Sequence, residues 1–372
     1  MDKFIPVNEP SLGEREKELL IECIDTGWIS SEGPFVEKFE ESFSKKVNRK
    51  YGISCSNGTA ALELAVASLK IGPGDEVIMP TFTIISCASA LTRRGAKPIL
   101  IDADPKTWNM KVEDIEASIT SKTVAIMAVH IYGLPVDMDP LLEIANKYKL
   151  FVIEDAAELI GAQYKNTPCG SFGHVSTFSF YPNKQITTGE GGMVVTNDIQ
   201  ISNRCRSLRN LCFQKDKRFI HKELGWNYRM TNLQAALGIA QLEKLDSVVE
   251  IKIKNGSIYN QFLKGIKGIE LPLKKTSYAE NIYWVYGVLV DPEIATAEEI
   301  MVKLKKLNIG TRPFFYPMHQ QPVFKEMGIF DNKSFPISEK LYRNGFYLPS
   351  GINLKFEDIK KVSEILKNLI QK

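Results

Sequence analysis

Short apolar runs, spaced by segments of helical length, are the feature that most restricts the fold of this chain. Such runs occupy residues 51–55, 76–79, 98–102, 124–129 and 150–154, and two more follow at 175–180 and 193–196. Apolar residues stand at consecutive positions within them, where a strand with one wet face would alternate. Strands of this kind need both faces covered, so the pattern predicts a mostly parallel sheet with helices on either side. Helical periodicity fills the intervals. Residues 14–26 place Leu20 and Ile24 on one face with Gly27 after the end, and Phe35, Phe39 and Phe43 recur every four positions. Leu62, Val66 and Leu69 form the stripe of a third helix.

Near residue 245 the character changes. A long charged helix is expected over 242–264, then an aromatic and β-branched strand over 282–290. Thr296-Ala297-Glu298-Glu299 is a capping box opening a helix with Ile300, Leu304 and Leu307 on one face, ended by Gly310. A last amphipathic helix carries Ile359, Val362, Leu366 and Leu369. The expectation is a large domain over residues 1–245 and a smaller C-terminal α/β domain over 246–372.

Charge excludes some classes of partner. The formal net charge is +3, from 47 basic and 44 acidic side chains, too small to predict nucleic-acid or membrane binding by bulk electrostatics. No run is long enough for a membrane span, and residues 1–6 contain no apolar signal-peptide core. The six cysteines are scattered without a CxxC pair, and the four histidines are far apart in sequence. Neither a disulfide framework nor a metal site is expected, and reduced thiols suit a cytoplasmic protein.

Three short segments carry chemistry. Ser179-Phe180-Tyr181-Pro182-Asn183-Lys184 runs on through Gln185-Ile186-Thr187-Thr188 to Gly189, Glu190, Gly191 and Gly192. This places a lysine in a loop between two strands, with glycines that admit close backbone approach. A water-poor site would depress such an amine's pKa and let it attack a carbonyl, although most loop lysines are solvated surface groups. Residues 152–158 put Glu154, Asp155 and Glu158 at the end of an apolar strand, where ligands bind in open α/β sheets. An aspartate there either pairs with a pyridinium nitrogen or simply caps the next helix. Ser56-Asn57-Gly58-Thr59 joins a strand to a helix and would bind a phosphate, or merely cap that helix. Phosphate cradle, strand-end aspartate and loop lysine, in that order, are what pyridoxal phosphate requires.

The chain resembles the DegT/DnrJ/EryC1/StrS sugar aminotransferases over essentially its whole length. The likeness is carried by Gly27-Trp28-Ile29-Ser30-Ser31-Glu32-Gly33, Ser56-Asn57-Gly58-Thr59-Ala60-Ala61-Leu62, Pro80-Thr81-Phe82-Thr83 and His130-Ile131-Tyr132-Gly133. It continues through Glu154-Asp155-Ala156-Ala157-Glu158, Ser176-Thr177-Phe178-Ser179-Phe180, the Lys184 loop and Asn227-Tyr228-Arg229-Met230-Thr231-Asn232. The resemblance implies an aspartate-aminotransferase-like, fold-type-I fold. It implies that Lys184 bonds the cofactor aldehyde and later carries the proton between Cα and the cofactor. Asp155 would pair with the pyridine nitrogen and Glu158 would lie beside the phenolic oxygen. Ser56, Gly58, Thr59 and Ser179 would hold the phosphate, with Asn227 reaching the phosphate of a neighbouring subunit in a homodimer with shared sites. Ile84 stands where the family often has an aromatic residue stacked on the ring, a departure that removes stacking by that side chain.

The same likeness implies an L-glutamate donor and a 4-keto sugar nucleotide acceptor, GDP-4-keto-6-deoxymannose foremost, in lipopolysaccharide O-antigen biosynthesis. Residues 311–319 resemble the sugar-facing loop. Phe315, Tyr316 and His319 would then contact the hexose, and Arg312 a phosphate or the donor carboxylate. Phe314, Phe315 and Tyr316 fit equally well as core residues. The basic stretch 204–222, with Phe213 and Phe219, either holds a diphosphate or is a solvated loop. Other acceptors, a UDP- or dTDP-linked keto sugar or a small phosphorylated ketone, keep the same chemistry. A sugar dehydratase of the same fold would replace the lysine with histidine or add an iron–sulfur cluster, and a non-enzymatic relative would lack Lys184 or Asp155. Neither departure occurs in this sequence.

Overall fold

The computed structural model describes residues 3–214, 216–330 and 333–371. Its centre is a seven-stranded sheet made by β1 (Tyr51–Cys55), β2 (Glu76–Pro80), β3 (Lys97–Ile101), β4 (Thr123–Val129), β5 (Phe151–Asp155), β8 (Val175–Ser179) and β9 (Gly192–Thr196). A minimal hairpin, β6 (Gln163–Tyr164) with β7 (Thr167–Pro168), lies outside it. The order is β1-β9-β8-β5-β4-β2-β3, and only β9 runs against its neighbours. Consecutive residues of β4 divide between two cores: Ala125, Met127 and Val129 pack on one face, Ile126 and Ala128 on the other. That division is why the strands read as unbroken apolar runs.

The helices flanking this sheet are α1 (Glu14–Thr26), α2 (Pro34–Lys46), α3 (Gly58–Ser68), α4 (Ile85–Thr92), α5 (Met138–Tyr148), α6 (Ile199–Arg209) and α7 (Asn232–Glu243). On α2 the stripe Phe35, Phe39, Phe43 is buried as its period requires. The Phe43 ring lies 4.8 Å from Phe178 and 5.1 Å from Phe180. Truncating Phe43 to alanine would cost roughly 3–5 kcal/mol in lost burial and cavity. The face expected for α1 is not the buried one. Glu16, Leu19 and Cys23 point inward, while Leu20 is only half-buried and Ile24 is 66% exposed. Glu16 is buried because Gln241 and Lys244 both reach its carboxylate.

A smaller sheet, β10-β11-β13-β12, comprises β10 (Ile269–Glu270), β11 (Tyr286–Val290), β12 (Arg312–Pro313) and β13 (Gly345–Leu348). Around it lie α8 (Leu245–Leu263), α9 (Ala297–Lys306), α10 (Pro322–Glu326), α11 (Pro336–Asn344) and α12 (Phe356–Ile370). Ile5, far away in sequence, pairs with Ile309 and enters this second core. The capping box at Thr296 and Glu299 forms as expected. The long helix expected over 242–264 forms as α8, starting three residues later because Lys244 separates it from α7. The break has a packing reason: α7 lies on α1 and α2 of the large sheet, whereas α8 lies on α12 of the small one. The strand expected from residue 282 begins only at Tyr286. Residues before it dock on the large sheet instead, through Ile282 N–H to the Gly133 carbonyl at 3.0 Å. Among the described residues no helix is long and apolar enough to cross a membrane, and all six cysteines are free and buried.

Candidate active site

Strands β1, β2, β5 and β8 end at the same edge of the sheet, so the turns that follow them converge on one crevice. The cavity there has a volume of about 730 Å³. Gly58, Thr59, Ile84, Asp155, Glu158, Ser179, Lys184 and Phe315 all line it. Residues over 250 positions apart in sequence thus meet in one place.

At one end lies the start of α3. Asn57 caps it, its side-chain oxygen accepting the Ala60 N–H at 2.8 Å, and a helix start leaves further N–H groups free for an anion. Two hydroxyls join them, Thr59 Oγ1 lying 2.8 Å from Ser86 Oγ. Ser86 stands on the first turn of α4, and no motif in the sequence had singled it out. A Cβ on Gly58 would lie 2.7 Å from the Cβ of Ser179, so only glycine lets the α3 start and the end of β8 close into a cradle. Ser56 is not among the lining residues; its N–H donates to the Tyr228 carbonyl at 2.9 Å and so fixes the turn.

Lys184 extends into the cavity from the turn after β8, its side chain 10% exposed. Nζ lies 3.9 Å from Glu158 Oε1 and 3.8 Å from the centre of the Trp284 ring. Burial pushes the amine below its ordinary pKa, while Glu158, Asp155 and Cys87 pull it back. Burial likewise raises Glu158, opposed by Lys184 and by the Tyr132 N–H, which donates to Oε2 at 2.7 Å. Tyr132 makes this contact from a left-handed conformation, φ 56°. Its hydroxyl accepts the Phe315 N–H at 3.1 Å, tying the small sheet to the site.

Asp155 closes the floor. Oδ1 accepts the Ala157 N–H at 3.1 Å and Oδ2 accepts the Cys87 thiol at 3.3 Å. Burial raises its pKa, against the pull of those two hydrogen bonds and of Lys184 and His130. Opposite it on β8, Thr177 presents a buried hydroxyl that has no partner among the described residues. Glu154, one position earlier, serves the scaffold instead. It accepts from His130 Nε2, from the N–H groups of Gly170, Phe172 and Gly173, and from Ser176 Oγ.

The expected sugar-side residues divide. The Phe315 ring lines the cavity, stacked on Tyr132 with centroids 5.2 Å apart. Arg312 is exposed on β12, in register with Tyr347, a lining residue on which its charge acts. Tyr316 lies against Tyr342 and does not line the cavity. His319 is turned into the protein: Nδ1 meets Thr81 Oγ1 at 2.9 Å and Nε2 meets Glu339 Oε1 at 3.2 Å. With both ring nitrogens occupied it holds the turn after β2 rather than a substrate. Asn227 is exposed and stands outside the cavity of its own chain. Trp284, Tyr347, Ser86 and Thr177 were missed in the sequence, since no local pattern marks a residue that only tertiary packing brings to the site.

This donor set fits pyridoxal phosphate. The α3 start and its hydroxyls suit a phosphate, the strand-end carboxylate a pyridine nitrogen, and the amine an aldehyde. The orphaned Thr177 hydroxyl and the glycine-dependent cradle are features that a packed core would not retain. Such a site defines an enzyme that handles amino groups through that cofactor.

Comparison with known proteins agrees. Residues 10–367 match the DegT/DnrJ/EryC1/StrS aminotransferase family. The chain is 43% identical over 362 residues to a GDP-perosamine synthase of Escherichia coli O157:H7, covering 97% of each. It is 41% identical to a GDP-perosamine synthase of Caulobacter vibrioides, covering 98% of each. Among solved structures, Spr1654 of Streptococcus pneumoniae in its PMP form superposes with a TM-score of 0.93 at 26% identity, covering 99% of this chain and 98% of that one. Its PLP form gives 0.92 at 25% identity, covering 99% of each. The chain belongs to the DegT/DnrJ/EryC1/StrS family and is a pyridoxal-phosphate-dependent sugar aminotransferase.

Proposed function

We propose that this enzyme moves the amino group of L-glutamate to C4 of GDP-4-keto-6-deoxymannose, giving GDP-perosamine and 2-oxoglutarate. The observation that carries the amino transfer is the meeting of Lys184, Glu158 and Asp155 in one cavity beside the start of α3. The acceptor rests on the relatives at 43% and 41% identity, both GDP-perosamine synthases. When bound, pyridoxal phosphate supplies an aldehyde that takes up the amino group and a ring that accepts the electron pair released at the reacting carbon.

The chain's own residues do the rest. The α3 start, Thr59, Ser86 and Ser179 bind the phosphate and fix the register of the site. Asp155 offers a buried carboxylate for the ring nitrogen and so favours its proton. Lys184 takes a proton from the donor carbon and returns one to the sugar carbon in the second half-reaction, which needs an amine that is readily neutral and so can accept a proton. Its burial supplies that, and Glu158 beside it accepts or returns the proton. Ile84 covers the mouth by apolar contact. Phe315 and Tyr347 offer surface to a hexose, and Arg312 at the rim suits a phosphate or the donor carboxylate.

A homodimer with shared sites completes the reading. Ile21 and Ile24, one helical turn apart on α1, are exposed together with Trp28 and Ile29, an apolar surface that a second copy would cover. Asn227, exposed and outside its own cavity, is then available to the neighbour's phosphate. The setting is the cytoplasm, with the product a nucleotide-linked amino sugar for O-antigen assembly.

A purified-protein assay tests the acceptor. With glutamate in excess, GDP-4-keto-6-deoxymannose should be aminated at least tenfold faster than UDP- or dTDP-linked keto sugars or a phosphorylated ketone, on the order of 1.4 kcal/mol of discrimination. Preference for any of the others refutes the GDP-sugar assignment while leaving amino transfer standing.

A further inference from the structure

We infer that Trp284 is a positioning residue for Lys184, seating the charged form of its amine on the indole face while fixing the backbone that carries it. The inference rests on the reading of Lys184 as the reacting amine. Lys184 Nζ lies 3.8 Å from the centre of the Trp284 ring. The indole N–H of the same residue donates at 2.8 Å to the carbonyl of Asn183, the residue immediately before the lysine. One side chain therefore holds Lys184 at its root and at its tip.

Trp284 is itself held. It is 4% exposed and belongs to the segment before β11 that docks on the turn after β4. Gly133 in that turn has φ 108°, and a Cβ there would stand 2.6 Å from the Trp284 backbone nitrogen, so the docking tolerates only glycine. The Trp284 carbonyl accepts from Lys252 Nζ at 2.9 Å, and the same nitrogen donates to the Ser350 carbonyl at 2.7 Å. Lys252 is a buried lysine on α8 that takes no part in the proposed chemistry. It binds α8, the Trp284 segment and the end of β13 together. The small sheet thus reaches the reacting amine through a fixed chain of contacts, from Lys252 to Trp284 to Lys184.

The chemistry explains the need. A lysine that is bonded to the cofactor and then freed to carry protons spends part of each turnover as an ammonium. Burial opposes that form. The groups facing the amine are Asp155 at the end of β5, Glu158 in the turn after it and Cys87 on α4, and the carboxyl nearest to it, Glu158, is itself raised by burial. An indole face stabilises an ammonium without adding a second ionised group to compete for the proton. Trp284 therefore raises the amine's pKa, and its loss lowers it.

The test uses the whole chain freed of cofactor. Competitive acetylation with acetic anhydride across a pH series, read at Lys184 by mass spectrometry, gives the amine's titration midpoint directly. Trp284→Leu should move that midpoint down by about half to one and a half pH units. Trp284→Phe keeps a ring with a weaker face, should move it in the same direction by less, and carries the test if the leucine variant does not fold. In both, kcat at neutral pH should fall more than KM rises. Unmoved midpoints in folded variants overturn the inference. Reductive trapping of pyridoxal phosphate with borohydride in the unsubstituted protein separates the two readings. Label on a residue other than Lys184 overturns the functional reading, whereas label on Lys184 with unmoved midpoints overturns only the role of Trp284.

Discussion

Two adjacent carboxylates at the end of β5 meet opposite surroundings. Glu154 points to one face of the sheet and Asp155 to the other, as neighbours on a strand must. Below the sheet, Glu154 is surrounded by donors on both oxygens, His130 and the Gly170 N–H on Oε1 and the Phe172 and Gly173 N–H groups on Oε2. Val136 N–H donates to His130 Nδ1, so Nε2 is the nitrogen that carries the proton toward Glu154. Burial alone would raise Glu154, yet the His130 contact and the turn's N–H groups bring it down to about 2. Above the sheet, Asp155 has two hydrogen bonds, one of them from a weak thiol donor, and Glu158 has one backbone N–H. Burial raises both. The same functional group becomes an anchor where its donors are complete, and where they are short it keeps hydrogen-bonding capacity turned to the cavity.

Substitutions should separate the two faces. The largest effect is expected from Lys184→Ala, which should lower turnover by roughly a thousandfold or more and abolish the absorbance of the lysine-bound cofactor. Its circular dichroism should be unchanged; full turnover by this variant would refute the assignment. Next, Asp155→Asn should cost about a hundredfold or more in kcat with stability altered by less than about 1 kcal/mol. Glu154→Gln should do the reverse, destabilising by on the order of 3 kcal/mol in denaturant titration while each folded molecule keeps its kcat. If both variants lost kcat alike, the contrast between the faces would fail.

Acid sharpens the comparison further. The folded pKa of Glu154, about 2, lies below its ordinary 4.5, so the folded state binds fewer protons than the unfolded one in that interval. Its stabilisation is therefore complete above pH about 4.5 and is lost as pH falls toward 2. Denaturation midpoints measured over that window should decline in the unsubstituted protein and decline less in Glu154→Gln. The smallest effect is expected from Gly58→Ala. Its new Cβ must displace Ser179, and cofactor retention measured by dialysis should weaken about tenfold.

Much of the fold was legible in the chain because buried parallel strands write themselves as apolar runs. Residues 51–55 were read to the residue, and β2 to β5 within a position or so at either end. The failures share a cause. The stripe of α1 was read from Leu20 and Ile24, yet the face that packs inward carries Glu16, Leu19 and Cys23, with Glu16 paired to the partly exposed Lys244, and Ile24 lies outside. Local charge could not reveal the break at Lys244, because it exists only to serve two separate cores. His319 looked like a sugar contact until Thr81 and Glu339 occupied both its nitrogens.

By itself the sequence determined the sheet and the cofactor class and singled out Lys184 and Asp155 as candidates, because each depends on residue type and local order along the chain. Only the tertiary structure decided that Asp155 and Glu158 face the cavity while Glu154 does not, that Trp284 stands against the amine, and that His319 does not reach the cavity. Those outcomes depend on how the two sheets dock and on which donors are left over once each core is packed, and neither is written in any short stretch of residues.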